Sequence, residues 1–329
     1  MIEKCGQKQC LLVNHNQQLI VYQQLAKKLG LTKQDLDIVS KSTKFINSHD
    51  PSKPVDVAII DEAHLLWTQG KQSYREENQL QDILDRAKVV IVVFDKNQIL
   101  SREQFMKNKD YTNLLEKVKL KKNSFYLGEQ LRINAEEYTV NWIRELIDNQ
   151  KINPIRKNSK YDLEIFNDVE EMYERLKAES KNEEAGISRL LATFDWEYIN
   201  GKKPENKEFW KVKIGGFELP WNLQLKKSRK DRDKSWAEQE QTINEVGSTF
   251  TIQEFDLNYA GVIIGPSVSY RDGEIIFDPT KSKNKKATQK RTLKDGAKEE
   301  VSDLLLKNEL NVLLTRGVNG LYIYAVDNT

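Results

Sequence analysis

Two apolar runs constrain this chain most. One is Val57-Ala-Ile-Ile60, which ends in Asp61-Glu62, and the other is Lys88-Val-Val-Ile-Val-Val-Phe94. Neither run alternates polar with apolar residues. Strands apolar on both sides belong to parallel sheets covered on both faces. Parallel neighbours cannot be joined by a tight turn, so helices must lie between them. The flanking sequence agrees. Cys10–Val13 reads as a strand, and Gln17–Gly30 carries helical spacing with Gly30 as its C-cap. Val55–Ile60 is a strand, Leu80–Ala87 a helix, and Phe125–Leu127 a fourth strand.

The pattern then restarts. Ala135–Asn149 is an amphipathic helix with Tyr138, Trp142 and Leu146 on one face. Leu163–Phe166 reads as a strand, Val169–Glu179 as a helix and Arg189–Phe194 as a strand. Phe250–Ile252 and Gly261–Ile264 are further strands, Leu304–Leu314 a helix and Leu321–Ala325 a closing strand. The expected fold is therefore α/β with two parallel-sheet domains, residues 1–128 and 129–329. Two stretches break the alternation. Lys202–Lys234 holds eleven Lys/Arg against five Asp/Glu, interleaved with Phe209, Trp210, Phe217 and Trp221, and Lys281–Lys298 holds eight against one. Both are expected to be solvated basic insertions, spanning about 199–240 and 279–298.

A length of 329 residues suits two domains, and 38% hydrophobic content in clear blocks suffices for packed cores. The net charge of +2 names no partner, so any nucleic-acid contact must come from local clusters. Two cysteines, Cys5 and Cys10, make no disulfide framework. With only three histidines they offer no zinc-ligand spacing. No run approaches the roughly 20 apolar residues of a membrane span, and Met1–Gly6 lacks a signal-peptide pattern. A cytoplasmic protein is expected.

Asp61 and Glu62 fall at the carboxyl end of a buried strand, the edge where open α/β sheets bind ligands. Hydrolysis of a nucleoside triphosphate needs one carboxylate there to hold Mg²⁺ and a second group to orient the attacking water. Asp61 suits the first role and Glu62 the second. The bland alternative is an acidic pair that ends a strand by chance. Asp95 and Gln98 end the next strand, where an acid and an amide can sense phosphate or water, although such residues are also common turn formers. Gln130-Leu-Arg132 and Thr315-Arg316 bring arginines, whose planar guanidinium groups suit phosphate, and whose ordinary use is a surface ion pair. Gly247–Gln253 places small hydroxyl residues, Thr251 among them, and an amide near a strand. No Gly-x-x-x-x-Gly-Lys-Ser/Thr string occurs, so a phosphate-binding (Walker A) loop is expected to be missing and the first domain truncated at its N-terminus. Lys226, Lys227, Arg229 and Lys230 form the densest basic run, a candidate contact for single-stranded DNA or RNA.

In order along the chain stand Asp61-Glu-Ala-His64, Phe94-Asp-Lys-Asn-Gln98, Gln130-Leu-Arg132, Thr251-Ile-Gln-Glu-Phe-Asp-Leu-Asn-Tyr-Ala-Gly-Val-Ile-Ile264 and Leu313-Leu-Thr-Arg-Gly317. Together they resemble the bacterial Schlafen-group-3-like DNA/RNA helicase domain, within superfamily-one helicases. The resemblance implies two RecA-like domains with ATP between them. It makes Asp61 the Mg²⁺ ligand of the Walker B motif, Glu62 the catalytic base and Gln98 the motif III sensor. Arg132 and Arg316 become the arginines of motifs IV and VI, and Gln253 lies in motif V. His64, Asp95, Gln130 and Thr315 accompany these around the nucleotide. Asn16 falls where motif Ia contacts single strands. Two departures stand out: the missing loop, and Glu254 where the family carries Gly. The expected function is an ATP-binding, nucleic-acid-dependent motor that lacks its own Walker A segment, which either sits on another polypeptide or has been lost. The rivals are a hydrolytically dead module that binds nucleic acid or protein, and a different α/β fold with one continuous sheet.

Overall fold

A computed structural model describes residues 8–31, 38–68, 78–128, 130–181, 186–231, 234–252, 255–289, 291–292 and 298–327. The chain divides into two compact units, Met1–Gly128 and Glu129–Thr329.

The first unit contains β1 (Gln9–Val13), α1 (Asn16–Lys28), β2 (Val39–Ser40), α2 (Ser42–Ser48), β3 (Val55–Asp61), α3 (Gln79–Leu84), β4 (Ala87–Val92) and α4 (Asn108–Leu120). Its sheet has the order β2-β1-β3-β4, and every pairing is parallel. Gly30 ends α1 as expected: at φ +77° it takes the left-handed conformation, with Gly30 N–H donating to Lys27 O and Leu31 N–H to Ala26 O. Asn78 caps α3, accepting from the N–H groups of Leu80 and Gln81. One face of the sheet, with Cys10, Leu12, Ala58 and Ile60, packs under Phe45, Ile46, Leu80 and Ile83 of α2 and α3. The strand expected at Phe125–Leu127 is not formed. Those residues lie outside any strand and are almost fully exposed, and the fourth strand is the two-residue β2 instead. Three consecutive apolar residues did not suffice, because nothing packs on them.

The second unit contains α5 (Glu137–Asp148), β5 (Asp162–Phe166), α6 (Val169–Glu179), β6 (Arg189–Ala192), β7 (Lys211–Ile214), β8 (Phe217–Pro220), α7 (Thr249–Ile252), β9 (Leu257–Ile264), β10 (Val268–Arg271), β11 (Glu274–Phe277), α8 (Lys285–Thr288), β12 (Arg291–Thr292), β13 (Lys298–Glu299), α9 (Ser302–Leu314) and β14 (Gly317–Ala325). Its main sheet runs β5-β14-β9-β6, again all parallel. The two central strands are buried along most of their length. Helix α5 buries Trp142, Ile143, Leu146 and Ile147, and α6 buries Met172, Tyr173 and Leu176, each at helical spacing.

Three expectations change here. Residues 250–252 are helical rather than extended: Thr251 N–H and Ile252 N–H both reach back to Ser248 O. The stretch Lys202–Lys234 is not an unstructured insertion, because Lys211–Pro220 forms the antiparallel hairpin β7–β8. The alternation Lys-Val-Lys-Ile, followed by Gly215-Gly216, is the signal for that hairpin. Two of its aromatic residues are spent on the core, and Phe209 and Trp210 are partly buried. Trp221 is fully buried against Phe194, and Phe217 packs on Tyr173. The described residues of the basic stretch from Lys281 likewise include α8 and the short pair β12–β13.

Candidate functional site

The parallel register brings three strand ends of the first unit to one edge. Val13 of β1 stands beside Asp61 of β3, and Ile60 beside Val92 of β4. Main-chain hydrogen bonds extend the β3–β4 tie past the strands: Val93 N–H donates to Ile60 O, and Ala63 N–H to Val93 O. Asp61, Glu62, His64, Asp95 and Gln98 are thus gathered at the carboxyl edge.

Asp61 is half-buried and well supplied with donors. Its Oδ2 accepts from Gln18 Nε2 at 3.0 Å and from the Tyr22 hydroxyl at 2.8 Å, and its Oδ1 accepts from Glu62 N–H at 3.1 Å. Gln18 and Tyr22 are one helical turn apart on α1, so one face of that helix holds the carboxylate. All three donors are neutral. A carboxylate has about four acceptor positions, so room remains for one more ligand. Among the described residues no group of three or more His, Cys, Asp and Glu side chains is placed to hold a metal ion. One carboxylate with a free acceptor position is compatible with Mg²⁺ that arrives with phosphate oxygens and waters.

Glu62 has left-handed backbone geometry, φ 52° and ψ 51°. For a non-glycine residue this costs about 1–2 kcal/mol. Its Oε2 lies 3.2 Å from Nδ1 of His64, a fully buried ring that meets Phe94 edge-on. Asp95 caps a short turn: its Oδ1 accepts from Asn97 N–H and its Oδ2 from Gln98 Nε2. The turn-forming alternative for Asp95 is thus real, and it also fixes Gln98. Asn16 is exposed at the first turn of α1.

Other candidates fall in the second unit, where the loops entering β9 and β14 meet. Leu257 N–H donates to Arg316 O. Gln130 folds its amide onto its own loop, where Oε1 accepts from the N–H groups of Arg132 and Ile133. Arg132 Nε lies 2.5 Å from Asp256 Oδ1, with the arginine side chain 35% exposed. Arg316 is 1% exposed, and its Nε donates to Val312 O. Thr315 donates its hydroxyl to Asn311 O. Thr251 is buried, with its hydroxyl engaged on Ser248. Gln253 and Glu254 lie outside the described residues. Lys226, Lys227, Arg229 and Lys230 are all exposed. The nearby Asp231 pairs with Lys234 instead, at 2.8 Å.

A buried acidic pair of the second unit lies at the other end of its sheet. Asp195 Oδ2, just beyond β6, accepts from the Thr193 hydroxyl at 3.0 Å and from Ser267 N–H at 2.9 Å. Glu309 of α9 accepts from Phe194 N–H at 3.2 Å. Burial, reinforced by the neighbouring Asp195 charge, pushes the Glu309 carboxyl up to about 8. Burial also raises Asp195, against the donors from Ser267 and Thr193.

Gln18 and Tyr22, which touch Asp61, were not legible from the sequence. Their spacing marks one helical face, but only the β1–β3 pairing says what that face meets. Among the described residues no helix is long and apolar enough to cross a membrane.

Comparison with known proteins supplies the remaining finding. The family description "Schlafen group 3, DNA/RNA helicase domain" matches residues 1–327. An uncharacterized protein of Saccharomyces cerevisiae (strain S288c) is 32% identical over 352 residues, covering 98% of this chain and 73% of the relative. The likeness therefore extends to a fungus.

Proposed function

We propose, on the premise that this chain belongs to the Schlafen group 3 DNA/RNA helicase domain family, that it is a helicase-like protein that binds ATP with Mg²⁺ and couples that binding to a nucleic-acid strand. The two α/β units are RecA-like in this reading. The observation that carries it is the carboxyl edge of the first sheet, where Asp61 and Glu62 follow a buried parallel strand and stand beside Asp95 and Gln98.

Asp61, oriented by Gln18 and Tyr22, would hold Mg²⁺ on the nucleotide phosphates. The ion supplies neutralisation of phosphate charge. Glu62, aimed by its left-handed backbone and partnered by His64, orients and deprotonates water. Gln98, held by Asp95, contacts that water or the terminal phosphate. Of the two candidate arginines Arg132 is the more accessible to phosphate, because it can exchange Asp256 for it. Lys226, Lys227, Arg229 and Lys230 contact nucleic-acid phosphates by charge alone, since the aromatic rings of that stretch are largely committed to packing.

The test is ATP binding and hydrolysis by the full chain, with and without single-stranded DNA or RNA. Glu62→Gln is expected to keep binding and slow hydrolysis by roughly 10²-fold or more, the usual loss for a general base. Asp61→Asn is expected to remove the Mg²⁺ dependence of binding. Hydrolysis unchanged in Glu62→Gln refutes the site. A second reading is a nucleic-acid-binding module without hydrolysis. Salt-sensitive strand binding with no turnover selects it.

A further inference from the structure

The basic stretch from Lys281 has no aromatic residue of its own, but the fold brings one to it. Strand β6 ends at Ala192. Two residues beyond, the Phe194 carbonyl accepts from Lys283 N–H at 2.8 Å and from the Ser282 hydroxyl at 3.3 Å. Asn284 N–H donates in turn to Ser282 Oγ. Ser282, Asn284 and Ala287 are buried, while Lys281, Lys283, Lys285 and Lys286 are exposed. Three short side chains thus pin the segment to the carboxyl edge of the second sheet, and the lysines between them face water. Asp278 is the one acid of residues 278–289 and lies 3.6 Å from Lys281, so the segment keeps an excess of positive charge. Phe250 stands beside it. Its ring is 40% exposed, meets Phe194 edge-on at 5.2 Å, and has Lys286 Nζ 4.9 Å from its centroid. Phe194 is itself buried against Trp221, so the Phe250 ring rests on a fixed base. Thr251, the neighbour expected to touch nucleic acid, is buried with its hydroxyl on Ser248.

We propose that Phe250, Lys281, Lys283, Lys285 and Lys286 form a contact for single-stranded nucleic acid, in which one base stacks on the ring and the adjoining phosphates meet the ammonium groups. The site rests on the nucleic-acid part of the proposed function and adds to it a base contact that Lys226–Lys230 lack. It lies at the carboxyl edge of its sheet, where ligands of open α/β sheets bind. A flat ring takes any base, because every base has a π-face, and lysines hold phosphate whatever the sequence. Stacking a base is worth more than holding a cation over an exposed ring. A base therefore displaces Lys286 from Phe250 and frees its ammonium for a phosphate. A duplex keeps its bases within the stack, so the site selects single strands.

The experiment titrates the full chain with oligothymidine, with the same sugar-phosphate backbone carrying abasic sites, and with poly-glutamate, each followed by fluorescence anisotropy over a range of salt. No nucleotide is present, so failure of the ATP reading does not affect the result. Phe250→Leu keeps an apolar side chain against Phe194 and loses the flat face. It should weaken oligothymidine binding roughly tenfold and leave the abasic strand unchanged. Phe250→Tyr keeps the ring and should bind as the native chain does. Replacing Lys283, Lys285 and Lys286 by Gln should lower the salt slope by up to about 2, at about 0.7 per phosphate contact. Those side chains are exposed, so this variant tests the site even where Phe250→Leu fails to fold. Native-like oligothymidine binding by Phe250→Leu, or an unchanged salt slope in the lysine variant, overturns the proposal and leaves the strand contact with Lys226–Lys230. Poly-glutamate bound as tightly as oligothymidine overturns it in favour of an acidic protein partner. A native chain that binds no strand overturns the nucleic-acid reading itself, and this site with it.

Discussion

Replacing Glu309 by Gln tests the buried acid of the second unit. Glu309 is 1% exposed, accepts one hydrogen bond from Phe194 N–H, and faces Asp195. Its carboxyl is raised from 4.5 to about 8, so the folded state keeps a proton that the unfolded chain gives up. Below about pH 4.5 both states are protonated and the group does not affect stability. Between that value and about 8 the folded state binds more protons than the unfolded one, so stability falls as pH rises. The full loss corresponds to about 5 kcal/mol, at about 1.4 kcal/mol per pH unit. Asp195, raised in the same direction, steepens the lower part of that fall. In the Glu309→Gln variant the amide has no proton to lose and keeps an oxygen for Phe194 N–H. The assay is urea unfolding at pH 5.5, 7 and 8.5, followed by tryptophan emission. Five of the six tryptophans belong to residues 129–329, with Trp221 and Trp236 fully buried, so the signal reports the second unit. The native protein should lose several kcal/mol between pH 5.5 and 8.5, and the variant should lose much less. Equal pH slopes in the two proteins refute the reasoning, as does native stability that increases with pH.

Other perturbations are equally specific. Gly265→Ala places a Cβ 2.3 Å from Asp195 Oδ2 and 2.8 Å from Thr193 Oγ1, so urea unfolding should show a loss of about 1–3 kcal/mol, the range for overpacking. Tyr22→Phe removes the 2.8 Å donor to Asp61 and should cost about 1 kcal/mol of first-unit stability by thermal melting, while weakening Mg²⁺-dependent nucleotide binding. Glu62→Gly relieves about 1 kcal/mol of left-handed strain and loses the His64 contact, so melting should hardly move while hydrolysis falls. Neutralising Lys226, Lys227, Arg229 and Lys230 together should lower the salt slope of single-strand binding by up to about 3, at about 0.7 per phosphate contact. An unchanged slope places the contact elsewhere.

The parts of the fold legible in the sequence were those fixed by local chemistry. Val55–Asp61, the α5 stripe and the Gly30 cap each depend on residues within one element. Tertiary contacts decided the rest. Phe125–Leu127 has strand composition but pairs with no strand and stays exposed to water. Phe250–Ile252 is β-branched and aromatic, yet it is drawn into a helical turn by Ser248, which accepts from the N–H groups of Thr251 and Ile252. The hairpin β7–β8 was hidden by its lysines, although its alternation was plain. In the candidate site, Asp61, Glu62 and Asp95 could be singled out because each follows an apolar run that reads as a strand. Gln18 and Tyr22 did not, because their partner is 43 and 39 residues away and is set by strand order.

The backbone of Glu62 supports the proposed reading of Asp61-Glu62 as a built pair. A strand that merely stopped at Asp61-Glu62 would let Glu62 relax into an ordinary turn, at no cost and in water. Instead Glu62 is held left-handed by a main-chain bond from Ala63 to Val93, its carboxylate is set against a fully buried histidine, and its N–H donates to Asp61. Strain of this kind persists only where surrounding structure over-determines it. Here three independent contacts do so, and none is needed to terminate β3. Their combined effect is to turn two successive acidic side chains away from one another, one toward α1 and one toward His64. Separating the two carboxylates gives each its own surroundings at one strand end, as the proposed division between a metal-holding acid and a water-orienting base requires.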